Sequence, residues 1–543
     1  MKKFLLSISV AMFIGVTSFA QQATTAVKPT TEQKAWQHES FEDKGVYGVN
    51  TKKAIKFLES KKRKPSEIVV GVLDSGVEIT HPDLKDNIWT NKKEVAGNGK
   101  DDDKNGYVDD VHGWNFIGGK DGKNVDGDTL ELTRLYVKYK DLFETSKDAA
   151  SNKTKYAKEF EDFQKIKPEF ENKLAEAKQY SAQFGEIKKS FQKPIDALIK
   201  EWGDKPLNSD NMLAFKPKSP DTGFAMQIFG MVPKEAWEGK SMKEFATKFM
   251  DEINEGEKHY SDQVNFNLNT QLNPRTIVGD NYADKTERIY GNSDVDGPDA
   301  LHGTHVSGII AAKTNNGIGM DGVAGEGYVK IMSVRTVPNG DERDKDVANA
   351  IRYAADNGAK ILNMSFGKPY SPEVQIVWDA FKYAEKKGLL LIKAAGNDNQ
   401  DVDTNDNFPT IFNDKGEALV KNVITVGANT IDKDNLKASF SNYGKKSVDV
   451  FAPGAEIYST VPNKDGEYKD LDGTSMASPV VAGVAALVWS HYPKLTAIDI
   501  KQIIMESVNK NASLADLSVT GGVVDAYKAV QLAEKMYVAK KLK

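Results

Sequence analysis

Residues 68 to 76 read Ile68-Val69-Val70-Gly71-Val72-Leu73-Asp74-Ser75-Gly76, an apolar run that ends in an acid and a glycine turn. Such a short, continuous run is typical of a strand buried on both faces of a parallel sheet. Similar runs recur downstream at Val329 to Val334, Lys360 to Met364, Leu389 to Ala394, Val423 to Val426 and Val448 to Phe451. Apolar residues at three- and four-residue intervals predict helices between some of them, at Asp344 to Asn357 and Glu373 to Lys387. This alternation predicts an α/β fold with a doubly wound, mostly parallel sheet.

The alternation is interrupted over residues 121–291, which we interpret as an inserted α-helical subdomain. Apolar residues from Tyr156 to Phe191 fall at steps of three and four, and Pro168 and Pro194 are expected to mark helix breaks or first turns. The pattern predicts two or three helices packed as a hairpin or small bundle. Mixed charges favour a packed helical face beside a solvated one over a partner-binding coiled coil.

Length and composition narrow the classes of protein that the chain can represent. It has 543 residues, 73 Lys plus Arg against 78 Asp plus Glu, a net charge of −5 and no cysteine. At roughly 150 residues per domain, this length allows two to four domains, or one large α/β unit with an insertion. The charge balance gives no excess that would attract nucleic acid or anionic lipid. The lack of cysteine excludes disulfides, thiol catalysis and cysteine-based metal sites.

The first twenty residues resemble a secretory signal. Lys2 and Lys3 precede an apolar run from Phe4 to Val16, and Ser18-Phe19-Ala20 is a small-residue cleavage pattern. The run is shorter than the roughly 20 residues needed to span a bilayer, so cleavage before Gln21 is favoured over an uncleaved anchor. We therefore expect an exported, periplasmic or extracellular protein with no transmembrane segment in the mature chain. The expected organisation is a signal peptide at 1–20, an N-terminal segment at 21–64, the sheet-bearing domain at 65–120 and 292–535, the insertion at 121–291 and a tail at 536–543.

Three polar segments stand at junctions between strands or helices and loops. Asp74-Ser75-Gly76 follows a predicted strand, and His302-Gly303-Thr304-His305 opens an apolar helix. Gly473-Thr474-Ser475-Met476-Ala477-Ser478-Pro479 begins a helix that continues to Val488. Ligands of open α/β sheets bind beyond the carboxyl ends of the strands, so these segments are candidates for one site.

The residue types in these segments fit acyl transfer. A serine hydroxyl is a weak nucleophile that needs a base, and an imidazole with a pKa near 6.5 is suitable, which makes Ser475 the candidate nucleophile and His302 its base. Asp74 would fix the imidazole tautomer and stabilise the imidazolium. The Ser475 backbone amide, at a helix start, can donate to a developing oxyanion. Asn397, after the run Leu389 to Ala394, offers a second donor.

Together these segments resemble those of the subtilisin-like serine peptidases, the subtilases of peptidase family S8, over roughly residues 43–120 and 292–535. The order acid, histidine, serine is also that of the family. The resemblance implies that Asp74, His302 and Ser475 are the triad and that Asn397 and Ser475 supply the oxyanion donors. It implies a secreted serine endopeptidase that acts on proteins or peptides and needs no cofactor for its chemistry. Segments similar to the walls of the family's primary specificity pocket contribute Ser365, Phe366, Gly367, Ala394, Ala395 and Gly396.

Each motif taken singly has a simpler interpretation, and a second function remains open. An Asp-Ser-Gly is usually a turn, a helix-start serine is usually a cap, and His302 with His305 lacks the third ligand of a zinc site. Their joint occurrence favours the peptidase over a catalytically occluded subtilase-fold peptide-binding protein, in which the insertion would cover the cleft. An α/β-hydrolase lipase is disfavoured because no Gly-x-Ser-x-Gly surrounds Ser475.

An acidic loop, Asp101-Asp102-Asp103-Lys104-Asn105-Gly106-Tyr107-Val108-Asp109-Asp110, resembles the first half of an EF-hand loop. His112 stands where that motif would place a bidentate glutamate. A structural Ca²⁺ site and a solvated acidic turn are both open, and the tentative Ca²⁺ ligands are Asp101, Asp103, Asn105 and Asp110. Asp398 to Asn407 is a second acidic run that follows the proposed oxyanion asparagine.

Overall fold

The computed structural model describes residues 33–542. The predicted signal peptide and its cleavage position therefore lie outside the described residues. Within the described range, no helix has both the length and the apolar character required to cross a membrane.

A nine-stranded sheet organises the larger part of the molecule. Its order is β10-β11-β7-β6-β5-β4-β1-β3-β2, and every neighbouring pair is parallel except β10 with β11. β8 and β9 form a separate antiparallel hairpin. The bounds are β1 Ile68–Asp74, β2 Gly113–Asn115, β3 Val329–Arg335, β4 Ile361–Met364, β5 Leu390–Ala394, β6 Val423–Asn429, β7 Val450–Pro453, β8 Ile457–Thr460, β9 Tyr468–Leu471, β10 Asn509–Lys510 and β11 Gly522–Val523.

Helices join and cover these strands. They are α1 Phe41–Lys44, α2 Thr51–Ser60, α3 Glu131–Lys140, α4 Ala149–Lys155, α5 Ala157–Trp202, α6 Ser209–Ala214, α7 Pro220–Phe229, α8 Met242–Asp262, α9 Arg275–Val278, α10 Leu301–Ala311, α11 Asp344–Asp356, α12 Val374–Lys387, α13 Thr474–His491, α14 Ala497–Glu506 and α15 Ala526–Ala539. Short 3-10 turns occupy Gln33–His38, Lys85–Asn87, Lys234–Ala236, Asn463–Asp465 and Ala512–Leu514, and π turns occupy Asp141–Thr145 and Gln263–Asn267.

Both faces of the sheet are buried, as the continuous apolar runs predict. Along β1, the side chains of Val70 and Val72 join a core formed with α2, α10, α13, α14 and α15. Leu73 points to the opposite face and joins a second core formed with α11 and α12. Because successive strand side chains point to opposite faces, each strand must be apolar at nearly every position. The five downstream runs fall on β3 to β7, and the expected α/β fold class is confirmed.

The described chain forms two compact units. Residues 164–268 are one, and residues 33–163 with 269–542 are the other. The flanks 121–163 and 269–291, which the sequence analysis placed in the insertion, thus belong with the sheet-bearing unit. Buried charges tie the first flank there, since Lys368 contacts both Glu131 of α3 at 2.9 Å and Asp344 of α11 at 2.8 Å.

The unit of residues 164–268 is a helical hairpin with its own core. Its part of α5 runs antiparallel to α8, because Phe184 stacks on Tyr260 whereas Phe191 stacks on Phe249. The expectation that Pro168 and Pro194 break the helix is wrong, since α5 continues through both. A proline removes one backbone hydrogen bond, and buried apolar residues on both sides of each proline keep the helix packed: Ile166 and Phe170, and Phe191 and Ile195.

Candidate active site

Asp74 is the last residue of β1, the third strand from the β2 edge of the sheet, with a side chain that is 3% exposed. Its Oδ1 accepts a hydrogen bond from the Ser75 backbone N–H at 2.8 Å and lies 2.7 Å from His302 Nδ1. Arg335, its register partner on β3, donates from Nε to the Ser75 carbonyl at 2.7 Å. The carboxylate therefore stands on a turn that is held in place from the neighbouring strand.

His302 reaches Asp74 because a glycine follows it at the start of α10. A Cβ at Gly303 would lie 2.1 Å from the Gly76 carbonyl oxygen and 3.0 Å from the Asp74 Cβ. A side chain at position 303 would thus force the helix away from the turn after β1. Because position 303 is glycine, His302 can form a hydrogen bond with Asp74, which lies 228 positions earlier in the sequence.

The environment of His302 favours its charged form. Loss of water around the ring lowers the pKa of His302, but the charge and hydrogen bond of Asp74 raise it more, so this pKa lies above the usual 6.5. In the neutral ring, donation from Nδ1 to Asp74 leaves Nε2 as the acceptor. The ring is 36% exposed, so a reactant can approach it from solvent.

Ser475 is the second residue of α13, the helix that packs against α10. Its Oγ donates to the Ser365 carbonyl at 3.0 Å, and among the described hydrogen bonds none joins it to His302. Its own carbonyl accepts from Ser365 Oγ at 2.9 Å. This second bond replaces the helical one that Pro479, four residues later, cannot donate. Asp74 and His302 are therefore paired directly, whereas the Ser475 hydroxyl is turned toward the loop after β4.

Asn397 is oriented by Thr474, a residue to which the sequence analysis assigned no role. Asn397 Oδ1 accepts from both the backbone N–H and the Oγ1 hydroxyl of Thr474, each at 2.9 Å. Thr474 Oγ1 in turn accepts from the Gly396 N–H at 3.0 Å. Asn397 Nδ2 is thereby left as a donor, and it lies 3.5 Å from the point that a Cβ of Gly473 would occupy. The Ser475 N–H lies 3.5 Å from the same point, so the two expected oxyanion donors flank one small volume.

The expected pocket walls follow two adjacent parallel strands, β4 and β5. Ala394 and Ala395 are buried, and partly buried Phe366 packs against the core of α11 and α12. The Ser365 hydroxyl is hydrogen-bonded to the Ser475 carbonyl and to Ser478 Oγ. A Cβ at Gly367 would meet Asn407 Oδ1 at 2.9 Å, and one at Gly396 would meet Asn407 Nδ2 at 2.5 Å. Asn407 thus lies between the walls, which its place in an acidic run did not indicate.

The other predicted polar residues lie elsewhere. His305 is buried with Nε2 on the Lys469 carbonyl at 3.0 Å, and burial lowers its pKa to about 3. Of the tentative cation ligands, Asp101 and Asp103 lie together with Glu94. Asp110 instead accepts from Asn91, Asn105 and Tyr353 at 2.7–2.9 Å.

The model of the subtilase family, Peptidase_S8, matches residues 65–522. The chain belongs to the subtilase family. This finding confirms the resemblance to subtilisin-like serine peptidases, and the nine-stranded, mostly parallel sheet agrees with it.

Individual relatives match parts of this subtilase. The thermophilic serine proteinase of Bacillus sp. (strain AK1) is 40% identical over 235 residues, 42% of this chain and 52% of that protein. Thermitase of Thermoactinomyces vulgaris is 39% identical over 268 residues, 47% of this chain and 86% of thermitase. A solved structure described as proteases from Pseudoalteromonas arctica PAMC 21717 is 29% identical, covers 45% of this chain and 78% of that chain, and has a TM-score of 0.38. The chain spans about half the length of the first of these relatives.

Proposed function

We propose that this subtilase is an exported serine endopeptidase with Ser475 as nucleophile, His302 as general base and Asp74 as the acid that orients the base. Asn397 Nδ2 and the Ser475 N–H would bind the oxyanion. The 2.7 Å contact between His302 Nδ1 and Asp74 Oδ1, beside the helix that carries Ser475, is the observation that carries this proposal.

In the proposed reaction, His302 Nε2 takes the Ser475 proton as Oγ attacks the carbonyl carbon of a peptide bond. The oxygen of the tetrahedral intermediate accepts hydrogen bonds from the two donors beside Gly473, which are fixed before the charge develops. His302 then protonates the leaving amine, and an acyl-enzyme forms. Water then attacks the acyl carbon while His302 Nε2 takes its proton. The bond to Ser475 Oγ breaks, the proton returns to Oγ, and the acid product leaves.

The hydrogen bond from Ser475 Oγ to the Ser365 carbonyl corresponds to a resting serine in this proposal. Rotation about the Ser475 χ1 angle moves Oγ among three staggered positions without moving α13. The same bond favours the second candidate function, a peptide-binding subtilase in which the serine never attacks. A reagent that reacts only with an activated serine separates the two.

The deciding experiment measures labelling by a fluorophosphonate probe together with cleavage of unfolded casein. We expect both in the wild-type chain and neither in Ser475→Ala. Ser478→Ala is the matched control, because Ser478 lies one helical turn further along α13 and bonds only Ser365 Oγ by its hydroxyl. A folded wild-type protein that neither labels nor cleaves would reject the peptidase in favour of the binding protein.

Export is tested separately. The N-terminal residue of the mature protein is expected to be Gln21, found by N-terminal sequencing of material from the periplasm or medium. A mature chain that begins at Met1 would contradict the signal peptide and would leave the peptidase proposal unaffected.

A further inference from the structure

Two helices that cover the same face of the sheet, α2 and α15, carry a local excess of basic residues. Residues 51–64, which are α2 and the four residues after it, contain seven Lys and Arg against one Glu. Residues 526–542, which are α15 and its end, contain four Lys against one Glu. Because the whole chain has a net charge of −5, its overall charge balance does not reveal this excess.

Packing brings the two basic segments side by side. Leu58 of α2 and Val530 of α15 belong to the same core. Arg63, just beyond α2, donates two hydrogen bonds to the Glu534 carboxylate, at 2.9 and 3.0 Å. The pKa of Glu534 is held below its usual value, first by Arg63 and more weakly by the charge of Lys61. The sequence neighbours of this ion pair therefore meet at one place on the surface.

The basic patch, as we call this place, consists of five lysines around the ion pair of Arg63: Lys61, Lys62, Lys64, Lys535 and Lys541. All five are exposed, and none forms an ion pair within the part of the chain that the structure describes. A helix C-terminus favours cations only within its last turn. Lys64 lies four residues beyond α2, and Lys535 precedes the last turn of α15, so the helix ends do not account for the whole patch.

An exposed apolar side chain lies among these lysines. Val538 is 62% exposed and stands one turn beyond Lys535 on α15. Its carbonyl accepts a hydrogen bond from the Lys541 backbone N–H at 3.0 Å. Cations alone suit any polyanion, whereas cations around an apolar side chain suit the surface of a bilayer, where headgroups and acyl chains meet. The combination therefore favours anionic lipid over nucleic acid.

We propose that the basic patch and Val538 dock this protein on a bilayer surface that contains anionic phospholipid. The lysines would lie among the headgroup phosphates, and Val538 would enter the boundary between headgroups and acyl chains. The lysines act by their charge, so binding is reversible and sensitive to salt.

Docking at the basic patch leaves the candidate active site accessible. The backbone N–H of Ser66, two residues after Lys64, donates to the Ser490 carbonyl of α13 at 2.8 Å. Ser490 and Ser475 stand near opposite ends of α13, about 22 Å apart along the axis at a rise of 1.5 Å per residue. The patch therefore lies at the end of α13 that is remote from Ser475.

The test measures cosedimentation of the chain from Gln21, in a Ser475→Ala background, with sucrose-loaded vesicles. Vesicles of phosphatidylcholine with one third phosphatidylglycerol are compared with vesicles of phosphatidylcholine alone. We expect binding to the anionic vesicles only, and its loss when NaCl rises from about 0.05 M to about 0.5 M, since the Debye length falls to about 4 Å. Binding to neither kind of vesicle, or equally to both, would overturn the proposal. The readout does not depend on peptidase activity.

The triple variant Lys62→Gln, Lys64→Gln and Lys535→Gln tests the patch itself. A basic side chain near an anionic lipid surface is worth about fivefold in affinity. Removing three such charges should therefore weaken binding to the anionic vesicles about a hundredfold. The melting temperature should stay unchanged, because all three side chains are exposed and form no ion pair among the described residues.

The matched control is a second triple variant, Lys386→Gln, Lys415→Gln and Lys421→Gln. These lysines are also exposed and form no ion pair within the described chain. They lie on α12 and on the loop before β6, which pack on the opposite face of the sheet from α2 and α15. Binding should change only a few-fold. Equal losses in the two triple variants would assign vesicle binding to net charge and would reject the patch.

The variant Val538→Ser separates a bilayer from a soluble polyanion. Loss of the apolar side chain should weaken binding to the anionic vesicles about fivefold at low salt, with retention on a heparin column unchanged. A parent chain that is retained on heparin but does not bind the anionic vesicles would assign the patch to a soluble polyanion, and would overturn the lipid proposal.

Discussion

The hydrogen bond between His302 and Asp74 sets the pH range in which the proposed base can work. Turnover requires neutral His302, and the pKa of that ring is raised above 6.5 because the effect of Asp74 outweighs that of burial. We expect kcat/KM to fall as pH drops, with its midpoint above 6.5. The raised pKa also contributes to the free energy of unfolding. This contribution is complete below pH 6.5 and is lost as pH rises through the pKa of His302 in the folded state. A pH profile measured on a small peptide substrate checks the first expectation.

The variant Asp74→Asn isolates the cause of that shift. Without the carboxylate charge, burial lowers the pKa of His302, so the acid limb of the residual activity should move to lower pH. The rate itself should fall by about 10⁴, the usual effect of a wrong tautomer. An acid limb that stays in place in Asp74→Asn would show that another group titrates.

Thr474 is expected to position Asn397 rather than to touch substrate. Thr474→Val keeps the backbone N–H but loses the hydroxyl that links Gly396 to Asn397 Oδ1. We expect kcat to fall roughly tenfold, less than the 10²–10³-fold typical of removing an oxyanion donor, with KM almost unchanged. Thr474→Ser, which retains the hydroxyl, should restore kcat. A rise in KM with constant kcat in Thr474→Val would instead place Thr474 in substrate binding.

The sequence predicts the residues with reactive groups better than the residues that orient them. The proposed roles of Asp74, His302 and Ser475 could be inferred because three motifs, each ordinary when taken singly, occur together in one order. Thr474 and Asn407 gain their roles from neighbours distant in the sequence, which no local pattern encodes. The direction of the Ser475 hydroxyl depends on one side-chain torsion, which the sequence does not encode. Glu94 precedes the acidic loop, so the EF-hand-like spacing of that loop does not include it.

At the scale of elements, the approach of α10 to the turn after β1 depends on Gly303. In Gly303→Ala the new Cβ must displace the Gly76 carbonyl, whose oxygen would lie 2.1 Å away. We expect a loss of about 1–3 kcal/mol in the free energy of unfolding, the usual cost of overpacking, and strongly reduced fluorophosphonate labelling. Urea unfolding and labelling rates measure the two effects.

Gly185→Ala is the matched control for that substitution. Gly185 lies inside α5, and a Cβ there meets no atom within 4 Å. Alanine has the higher helix propensity, so this variant should gain about 0.5–1 kcal/mol and label normally. Similar losses in both variants would mean that the packing at Gly303 is not the cause.

Hydrophobic patterns in the sequence predict most strands of the sheet but not the continuity of helix α5. Strands β3 to β7 are predicted from apolar runs because burial on both faces leaves little choice of residue. The continuity of α5 is not predicted, because two prolines are local signals against a helix whereas the packing that overrides them is tertiary.

At the scale of the whole molecule, the described chain contains separate apolar cores. The sheet-bearing unit has one on each face of the sheet, and the unit of residues 164–268 has a core of its own around Phe229 and Phe245. From the sequence, helices packed as a hairpin or small bundle inside an α/β chain could be inferred, but the bounds of the compact helical unit could not. The compact unit, residues 164–268, is shorter than the predicted insertion, residues 121–291. The reason is that residues 121–163 and 269–291 belong with the sheet-bearing unit.

Separate cores predict separate unfolding. Phe245 is 5% exposed and packs edge-on against Phe229 with 4.7 Å between the ring centroids, so Phe245→Ala should cost the helical unit about 3–5 kcal/mol. In scanning calorimetry of the Ser475→Ala chain we expect two transitions, of which Phe245→Ala lowers only one. Phe381→Ala, which empties a comparable space between α12 and the sheet, should lower only the other. A single transition that both substitutions lower equally would mean that the two units unfold cooperatively, and would contradict this prediction.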